Sequence, residues 1–203
     1  TTELGDLVIA RSIDEPLYHL AVVVDDAEMG VTHVIRGEDH ISNTARQIVI
    51  QEALGVPRPA YAHLPLILAP DRSKLSKRHW ATALTDYRDQ GYLPHAVLNY
   101  LALLGWSPGD DREVLSIPEL IKLFDLSRVQ KSGAVFNREK LNWFNREHLK
   151  ILPDETFLDT VIPFLPERER AFFAADERSA RALIPLLGER ITTLSDVRTL
   201  AEG

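Results

Sequence analysis

Positive charge is concentrated in one short stretch, "PDRSKLSKRHWATAL" (70–84), of a chain whose formal net charge is −7. Four cations fall within seven positions, interspersed with small hydroxyl residues: Arg72, Lys74, Lys77 and Arg78. A phosphoryl-type transition state needs positive charge where negative charge develops, and lysine delivers a point charge on a long, flexible stem. The stretch therefore suits a phosphate clamp, although a solvated surface loop has the same composition.

A second cluster, "VIRGEDH" (34–40), places Arg36 directly after a predicted buried strand. Ligands of α/β sheets bind outside the carboxyl ends of the strands, and an arginine there forks onto a carboxylate or a phosphate. The same arginine could instead form a purely structural ion pair with Glu38 or Asp39. The sequence leaves both interpretations open.

A third cluster is "YHLAVVVDD" (18–26), in which Tyr18 precedes an apolar run that ends in Asp25 and Asp26. Paired carboxylates bind Mg²⁺ through their oxygens or hold an ammonium group. Two acids at the exposed end of a helix or strand produce the same pattern, so this cluster also has a purely structural interpretation.

The elements that must position these clusters alternate over the first ~80 residues, which predicts a parallel α/β arrangement. The segment 18–30 fits a strand or a helix. In the predicted helix, Ser42 is the expected N-cap, Gly55 the C-terminal stop, and Ala45, Ile48, Val49 and Ala53 the apolar face. Strands are predicted over 4–12, 31–39 and 62–69, and the helix over 42–55.

Helices dominate after the cationic stretch. Pro94 suits the first turn of one of them, and Ser116 with Glu119 matches a capping box in another. The predicted helices span 93–106, 116–125, 137–150, 154–165, 179–191 and 194–203. This order predicts an α/β part to about residue 83, a helical connector over 84–150 and the start of a helical bundle over 151–203. The α/β part has too few strands for a sheet and the last helix has no closing element, so we expect a piece of a longer protein.

Composition narrows the class of protein. The 203 residues are 45% hydrophobic, enough to bury a sizeable core, and none is cysteine, which excludes disulfides, thiolate metal sites and a thiol nucleophile. A pI near 5.5 argues against indiscriminate nucleic-acid binding. No apolar run approaches the ~20 residues that span a bilayer, and the amino end lacks a signal-peptide pattern. We expect a cytoplasmic protein.

The order of these motifs resembles the catalytic domain of bacterial glutamyl-tRNA synthetases, which are class I aminoacyl-tRNA synthetases. "LYHLAVVVDDAEMGVTHVIRGEDH" and "HLPLILAPDRSKLSKR" are similar to its second half, and "KLSKR" (74–78) is similar to the lysine-loop signature K-M-S-K-S. Residues 91–145 resemble the family's stem-contact region. The resemblance implies a Rossmann-type half domain over 1–83, a stem-contact region over 84–150 and the start of a helical anticodon-binding domain over 151–203.

The resemblance also implies a reaction, in which ATP activates glutamate as an adenylate that then charges tRNA(Glu). Lys74 and Lys77 would neutralise phosphates as the catalytic pair, with Mg²⁺ accompanying ATP. Residues implied to contact glutamate are Tyr18, Val22 and Arg36. Residues implied to contact ATP are Asp39, His40, Leu66, Ile67, Lys74, Ser76, Lys77 and Arg78. No metal ligand is implied in this chain, the double acid Asp25-Asp26 receives no chemical step, and we expect a monomer.

Two departures qualify the resemblance. Val22 stands where some relatives have asparagine, which removes a polar contact from the glutamate pocket, and no H-I-G-H-type motif occurs among the seven histidines. We therefore expect little or no aminoacylation by this chain alone, and any zinc site outside it.

Three alternatives remain. Glutaminyl-tRNA synthetases continue into β-barrels and a queuosine-modifying relative stops near the stem-contact region, whereas residues 154–203 are predicted to be helical. A non-catalytic tRNA-binding module would use basic helical residues as phosphate contacts. The tRNA-contact candidates are Arg128, Lys131, Arg138 and Lys140.

Overall fold

A computed structural model describes residues 5–75 and 83–201 of the chain. The chain divides into two compact units, Thr1–Leu66 and Ile67–Gly203. Across the described residues, no helix has the length and apolarity needed to cross a membrane.

The first unit contains a parallel β–α–β arrangement, which confirms the order predicted from the sequence. Strands β3 and β4 pair in parallel, with Arg36 opposite His63 and Gly37 opposite Leu64. The ambiguous segment that begins at Tyr18 is a helix, and a short antiparallel pair, β1 with β2, precedes it. The elements are β1 (Ala10–Ser12), β2 (Glu15–Pro16), α1 (Tyr18–Glu28), β3 (His33–Gly37), a 3₁₀ turn (Glu38–His40), α2 (Ile41–Leu54) and β4 (Ala60–Leu64).

Helix α2 differs from its prediction at its start and in the face that it buries. The 3₁₀ turn runs directly into α2 with His40 at the N-cap, so Ser42 already lies in the first turn and its assignment as N-cap is wrong. Gly55 ends the helix at φ +67°, as expected for a left-handed C-cap. The predicted apolar face is also wrong, because Ala45 and Ala53 are exposed. The buried residues are Thr44, Gln47, Ile50 and Gln51.

The strand predicted over 62–69 is two strands, because β4 ends at Leu64 and Pro65 follows. Proline has no N–H to donate to a sheet. The second piece, β5 (Ile67–Leu68), belongs to the second unit and pairs in parallel with β6 (Ala134–Val135). Of the strand predicted over 4–12, the described residues 5–12 form strand only at β1.

The described residues of the second unit form helices and the β5–β6 pair. The capping box of Ser116 and Glu119 and the N-terminal Pro94 are confirmed, whereas α3 and α8 were not predicted. Its helices are α3 (Leu84–Asp89), α4 (Pro94–Leu103), α5 (Ile117–Leu123), α6 (Arg138–Lys150), α7 (Asp154–Val161), α8 (Glu167–Ala175), α9 (Glu177–Arg190) and α10 (Asp196–Ala201), with 3₁₀ turns at Leu126–Arg128 and Ile162–Phe164.

Apolar clusters hold these helices together. One cluster joins α7, α8, α9 and α10 to the ends of α4 and α6, around buried Phe157 and Val161. A second is aromatic and packs Tyr100 against Phe136 and Phe144 between α4 and α6. Burying such side chains removes about 1.5–3 kcal/mol of unfavourable hydration each, which makes this packing the main source of stability.

Two buried asparagines add specific polar links to that core. Asn145 accepts a hydrogen bond from the Leu93 N–H at 2.8 Å and donates to the Thr192 carbonyl at 2.6 Å. Asn99 Oδ1 accepts from the Leu115 N–H at 2.8 Å and lies 2.9 Å from His148 Nε2. Since buried polar groups need partners, these amides fix the register between segments distant in sequence.

Candidate functional site

Arg36 stands at the carboxyl end of β3, where the sequence places a ligand-binding arginine. Its Nη2 donates to Thr44 Oγ1 at 2.6 Å and to Gln47 Oε1 at 2.7 Å. Its guanidinium also lies 5.4 Å from the centre of the Tyr61 ring, a cation–π distance. The side chain is therefore held on two sides by uncharged groups.

Thr44 is the hub of this arrangement. Its hydroxyl donates to the His40 carbonyl at 3.1 Å, accepts from Arg36, and lies 2.9 Å from His63 Nε2. Because β3 and β4 pair with Arg36 opposite His63, the strand register brings both side chains within reach of one residue of α2. Because the Thr44 hydroxyl proton points at the His40 carbonyl, the contact with His63 is a hydrogen bond when His63 Nε2 carries the proton and donates it.

The structural interpretation of Arg36, an ion pair with Glu38 or Asp39, is not what the structure shows. No carboxylate lies within ion-pair distance of Arg36 in the described part of the chain. Glu38 instead accepts from the Leu66 N–H at 3.2 Å and so joins the end of β3 to the residues after β4. Within the described residues, the charge of Arg36 is consequently not neutralised by an acid.

Several buried polar atoms around Arg36 have no hydrogen-bond partner, and they include Arg36 Nε, Gln47 Nε2 and His19 Nδ1. Burial lowers the pKa of His19, and the positive charges of Arg46 and then Arg36 lower it further. His19 is thus favoured in its neutral form. Buried atoms without partners are rare in stable folds, so the cluster is polar to a degree that packing alone does not require.

The remaining predicted residues of the first unit lie on α1 and on the turn before α2. Tyr18 is 52% exposed and Val22, one helical turn later, is half-buried on the same face. His40 Nδ1 lies 3.1 Å from Asn43 Nδ2. Asp39 folds back towards Gly37, so that a Cβ at Gly37 would lie 2.6 Å from Asp39 Oδ1 and would displace that side chain.

The double acid, Asp25 and Asp26, lies in the last turn of α1. No group of three or more acids, histidines or cysteines that could hold a metal ion occurs within residues 5–75 and 83–201. The pair therefore lacks the further ligands of an all-protein metal cage.

A tight turn in the second unit leads into the cationic segment. The Ala69 N–H donates to the Ser73 carbonyl at 2.8 Å, Arg72 adopts φ +64°, and Asp71 Oδ1 accepts from Ser73 N–H and Oγ. Lys74 then bridges to Leu68 of β5. The turn thus places Lys74 beside the end of β5. Ser76, Lys77 and Arg78 lie outside the described residues.

Three of the four predicted tRNA contacts have protein partners. Arg128 Nη1 donates to the Pro108 carbonyl at 2.6 Å, and Arg138 Nη2 donates to Gln90 at 2.8 Å. Lys140 Nζ lies 2.7 Å from both Glu113 oxygens and 4.1 Å from the centre of the Trp143 ring. The fourth, Lys131, is exposed.

Sequence reasoning missed Thr44, Gln47 and His63. A signal was present, because Thr44, Gln47 and Gln51 recur at helical spacing between apolar residues. A polar stripe of that kind is ordinarily assigned to solvent, and only the position of Arg36 makes it the buried side.

Comparison with known proteins agrees with the motifs. Residues 1–143 match the family model of the catalytic domain of class I tRNA synthetases (E and Q). Two curated relatives are glutamate–tRNA ligases, from Aquifex aeolicus (51% identical over 97% of this chain) and Thermodesulfovibrio yellowstonii (50% over 97%). The chain spans 42% of the length of each.

Solved structures agree in fold as well as in sequence. A glutamate tRNA ligase from Elizabethkingia meningosepticum, crystallised in complex with its amino acid, superposes with a TM-score of 0.85 at 36% identity over 99% of this chain and 43% of that one. A glutamate–tRNA synthetase from Elizabethkingia anophelis superposes with a TM-score of 0.82 at 36% identity over 97% of this chain and 43% of that one. By its catalytic-domain match, its relatives and its fold, the chain belongs to the family of class I tRNA synthetases (E and Q).

Proposed function

We propose that the protein containing this chain ligates glutamate to tRNA(Glu) at the expense of ATP. The observation that carries the proposal is the roughly 50% identity of nearly the whole chain to glutamate–tRNA ligases. Thr44 and Gln47 form an uncharged cradle around Arg36. This cradle supports the proposal independently, because it leaves a cation available to a carboxylate. The helical residues 154–201 favour the glutamyl type over a glutaminyl type that continues into β-barrels.

The reaction has two steps. An α-carboxylate oxygen of glutamate bonds the α-phosphorus of ATP, and pyrophosphate leaves. A hydroxyl oxygen of the terminal adenosine of tRNA then bonds the glutamyl carbonyl carbon, the carbonyl–phosphate bond breaks, and AMP and the hydroxyl proton leave. Negative charge grows on the phosphates in the first step, which is where fixed positive charge lowers the barrier.

We assign roles to residues on the family pattern. In the first unit, Arg36, Tyr18 and Val22 contact glutamate, with Arg36 supplying the charge. The ATP contacts of that unit are Asp39, His40 and Leu66. In the second unit, Lys74 and Lys77 neutralise phosphates, supported by Ile67, Ser76 and Arg78. Mg²⁺ enters as the ATP complex, held by phosphates and water.

The helical part is proposed to contact tRNA(Glu) through Lys131 and through Arg128, Arg138 and Lys140 after exchange of their present partners. We propose the domain plan 1–83, 84–150 and 151–203, and a monomer that acts in the cytoplasm, where ATP and tRNA are available. A tRNA-binding module without catalysis is less well supported, because residues 1–143 match the family model of a catalytic domain.

Lys77→Ala in the full-length protein tests the catalytic assignment. A loop lysine that acts chiefly in the transition state should lower kcat for ATP–pyrophosphate exchange about a hundredfold with little change in KM. Lys122→Ala, on the surface of α5, is the matched control and should leave kcat unchanged. An unaltered kcat in Lys77→Ala would return the cationic stretch to the status of a solvated loop.

The isolated 203-residue chain provides a second test. Because it spans 42% of its relatives and lacks the H-I-G-H-type motif, it should not catalyse ATP–pyrophosphate exchange above background. Measurable exchange would contradict this expectation.

A further inference from the structure

The cradle of Arg36 is built from one face of α2. Thr44 and Gln47 are 9% and 2% exposed, and both place a side-chain oxygen on the same guanidinium nitrogen, Nη2. The two residues are one helical turn apart, so a single rigid element sets both contacts. This spacing orients the plane of the guanidinium.

The cradle also decides which part of Arg36 is left for a ligand. Nη2 has two protons, and the two acceptors use both of them. Nε is buried without a partner. Nη1 is the donor nitrogen that is neither engaged nor buried without a partner, so we assign this end of the guanidinium to a carboxylate.

The chemistry of the two acceptors matters as much as their position. A hydroxyl and an amide oxygen orient the guanidinium without cancelling its charge, whereas a carboxylate in their place would form an ion pair and compete with an anionic ligand. No acid in the described residues forms an ion pair with Arg36. The site therefore holds an arginine that is both fixed and electrostatically open.

We propose that Thr44 and Gln47 are positioning residues that set the affinity for glutamate by fixing Arg36 with its charge unneutralised. The inference rests on the proposed function, because it takes Arg36 as the contact of a glutamate carboxylate. It adds two residues on α2 that touch no substrate and act through Arg36.

The test uses four variants of the full-length protein. Thr44→Val and Gln47→Leu each remove one acceptor, and each should raise the KM for glutamate about tenfold, with kcat and the KM for ATP nearly unchanged. Thr44→Ser keeps the hydroxyl and should behave as the natural protein. Gln47→Glu keeps the acceptor and the shape but adds a negative charge, so it should raise the KM for glutamate at least as much as Gln47→Leu.

Gln47→Glu separates positioning from mere packing. The new carboxylate pairs with Arg36, so the Tm should be retained. If Gln47 only stabilised the fold, the KM for glutamate would be retained as well. A second readout is the rise in Tm that saturating glutamate produces, which follows from binding to the folded state. We expect that rise to shrink in Thr44→Val, Gln47→Leu and Gln47→Glu and to persist in Thr44→Ser.

Gln51→Leu is the matched control. Gln51 is on the same helix, is also 2% exposed, and bonds the Tyr61 hydroxyl at 2.9 Å in place of Arg36. Its replacement should lower the Tm as Gln47→Leu does but change the KM for glutamate far less, because Gln51 reaches Arg36 through the Tyr61 ring and not by a hydrogen bond. An equal effect of both leucine variants on that KM would overturn the proposal.

Arg36→Ala distinguishes the two levels of the argument. If Arg36→Ala raises the KM for glutamate a hundredfold or more while Thr44→Val and Gln47→Glu leave it unchanged, the positioning role fails and the proposed function stands. If Arg36→Ala itself leaves that KM unchanged, the glutamate assignment fails and the positioning role falls with it. The proposed function itself is refuted if the full-length protein attaches no glutamate to tRNA.

Discussion

Replacing Asn145 by alanine removes an amide that ties three segments of the second unit together. Asn145 is fully buried on α6, accepts from the Leu93 N–H before α4, and donates to the Thr192 carbonyl before α10. Alanine leaves the buried Leu93 N–H and the partly buried Thr192 carbonyl without partners, at about 1–3 kcal/mol each. We therefore expect a loss of about 4 kcal/mol in the free energy of unfolding, a large part of the ~5–15 kcal/mol typical of a domain.

Equilibrium unfolding of the 203-residue chain in urea, followed by tryptophan fluorescence, measures this loss. With a slope of about 2 kcal/mol per molar urea, the midpoint should fall by about 2 M. Asn137→Ala is the control, because Asn137 is an exposed N-cap on the same helix and accepts from the Lys140 N–H at 3.1 Å. Loss of that cap costs about 1 kcal/mol. If Asn145→Ala costs no more than Asn137→Ala, the reasoning about unpaired buried groups is refuted.

Three further predictions concern the second unit. Gly91→Ala should lower the Tm in thermal unfolding far more than Gly55→Ala. Gly91 has φ +82° and a Cβ there would lie 2.6 Å from a backbone nitrogen, whereas a Cβ at Gly55 would face open space. Similar Tm shifts in the two variants would contradict this reasoning. Burial lowers the pKa of His148, so below about pH 6.5 the unfolded chain binds a proton that the folded chain does not. Stability to urea should therefore fall from pH 7 to pH 5, and less steeply in His148→Gln; equal slopes would show that His148 is not responsible. Glu113→Gln in the full-length protein should release Lys140 and raise tRNA affinity and its salt dependence in filter binding, whereas unchanged binding would remove Lys140 from the proposed contacts.

The prediction of α2 shows where sequence patterns lose their value. Periodicity assigned the buried face to Ala45, Ile48, Val49 and Ala53, because apolar residues at helical spacing usually face the core. The structure buries Thr44, Gln47 and Gln51 instead. These polar residues are stabilised inside because Arg36, His63 and Tyr61 on the adjacent strands supply their partners. A helical pattern contains no information about those partners.

Most local signals, by contrast, are predicted correctly from the sequence, with the N-cap assigned to Ser42 as the exception. The capping box at Ser116, the proline at the start of α4 and the glycine stop of α2 depend on a few neighbouring residues, and all three are confirmed. The strand–helix–strand order likewise predicts the parallel pairing of β3 with β4, and the order of motifs predicts the family.

The sequence by itself thus determined the class of fold, the family and the candidate residues, because these follow from short-range spacing and from the order of motifs. Only the tertiary structure decided how those residues are engaged: Arg36 by neutral acceptors and not by Glu38, Lys140 by Glu113, and Asn145 by two distant backbone groups. The physical reason is that a polar side chain is stabilised by whichever partner the fold brings within about 3 Å, and for Asn145 that partner, Leu93, lies 52 residues away in the chain.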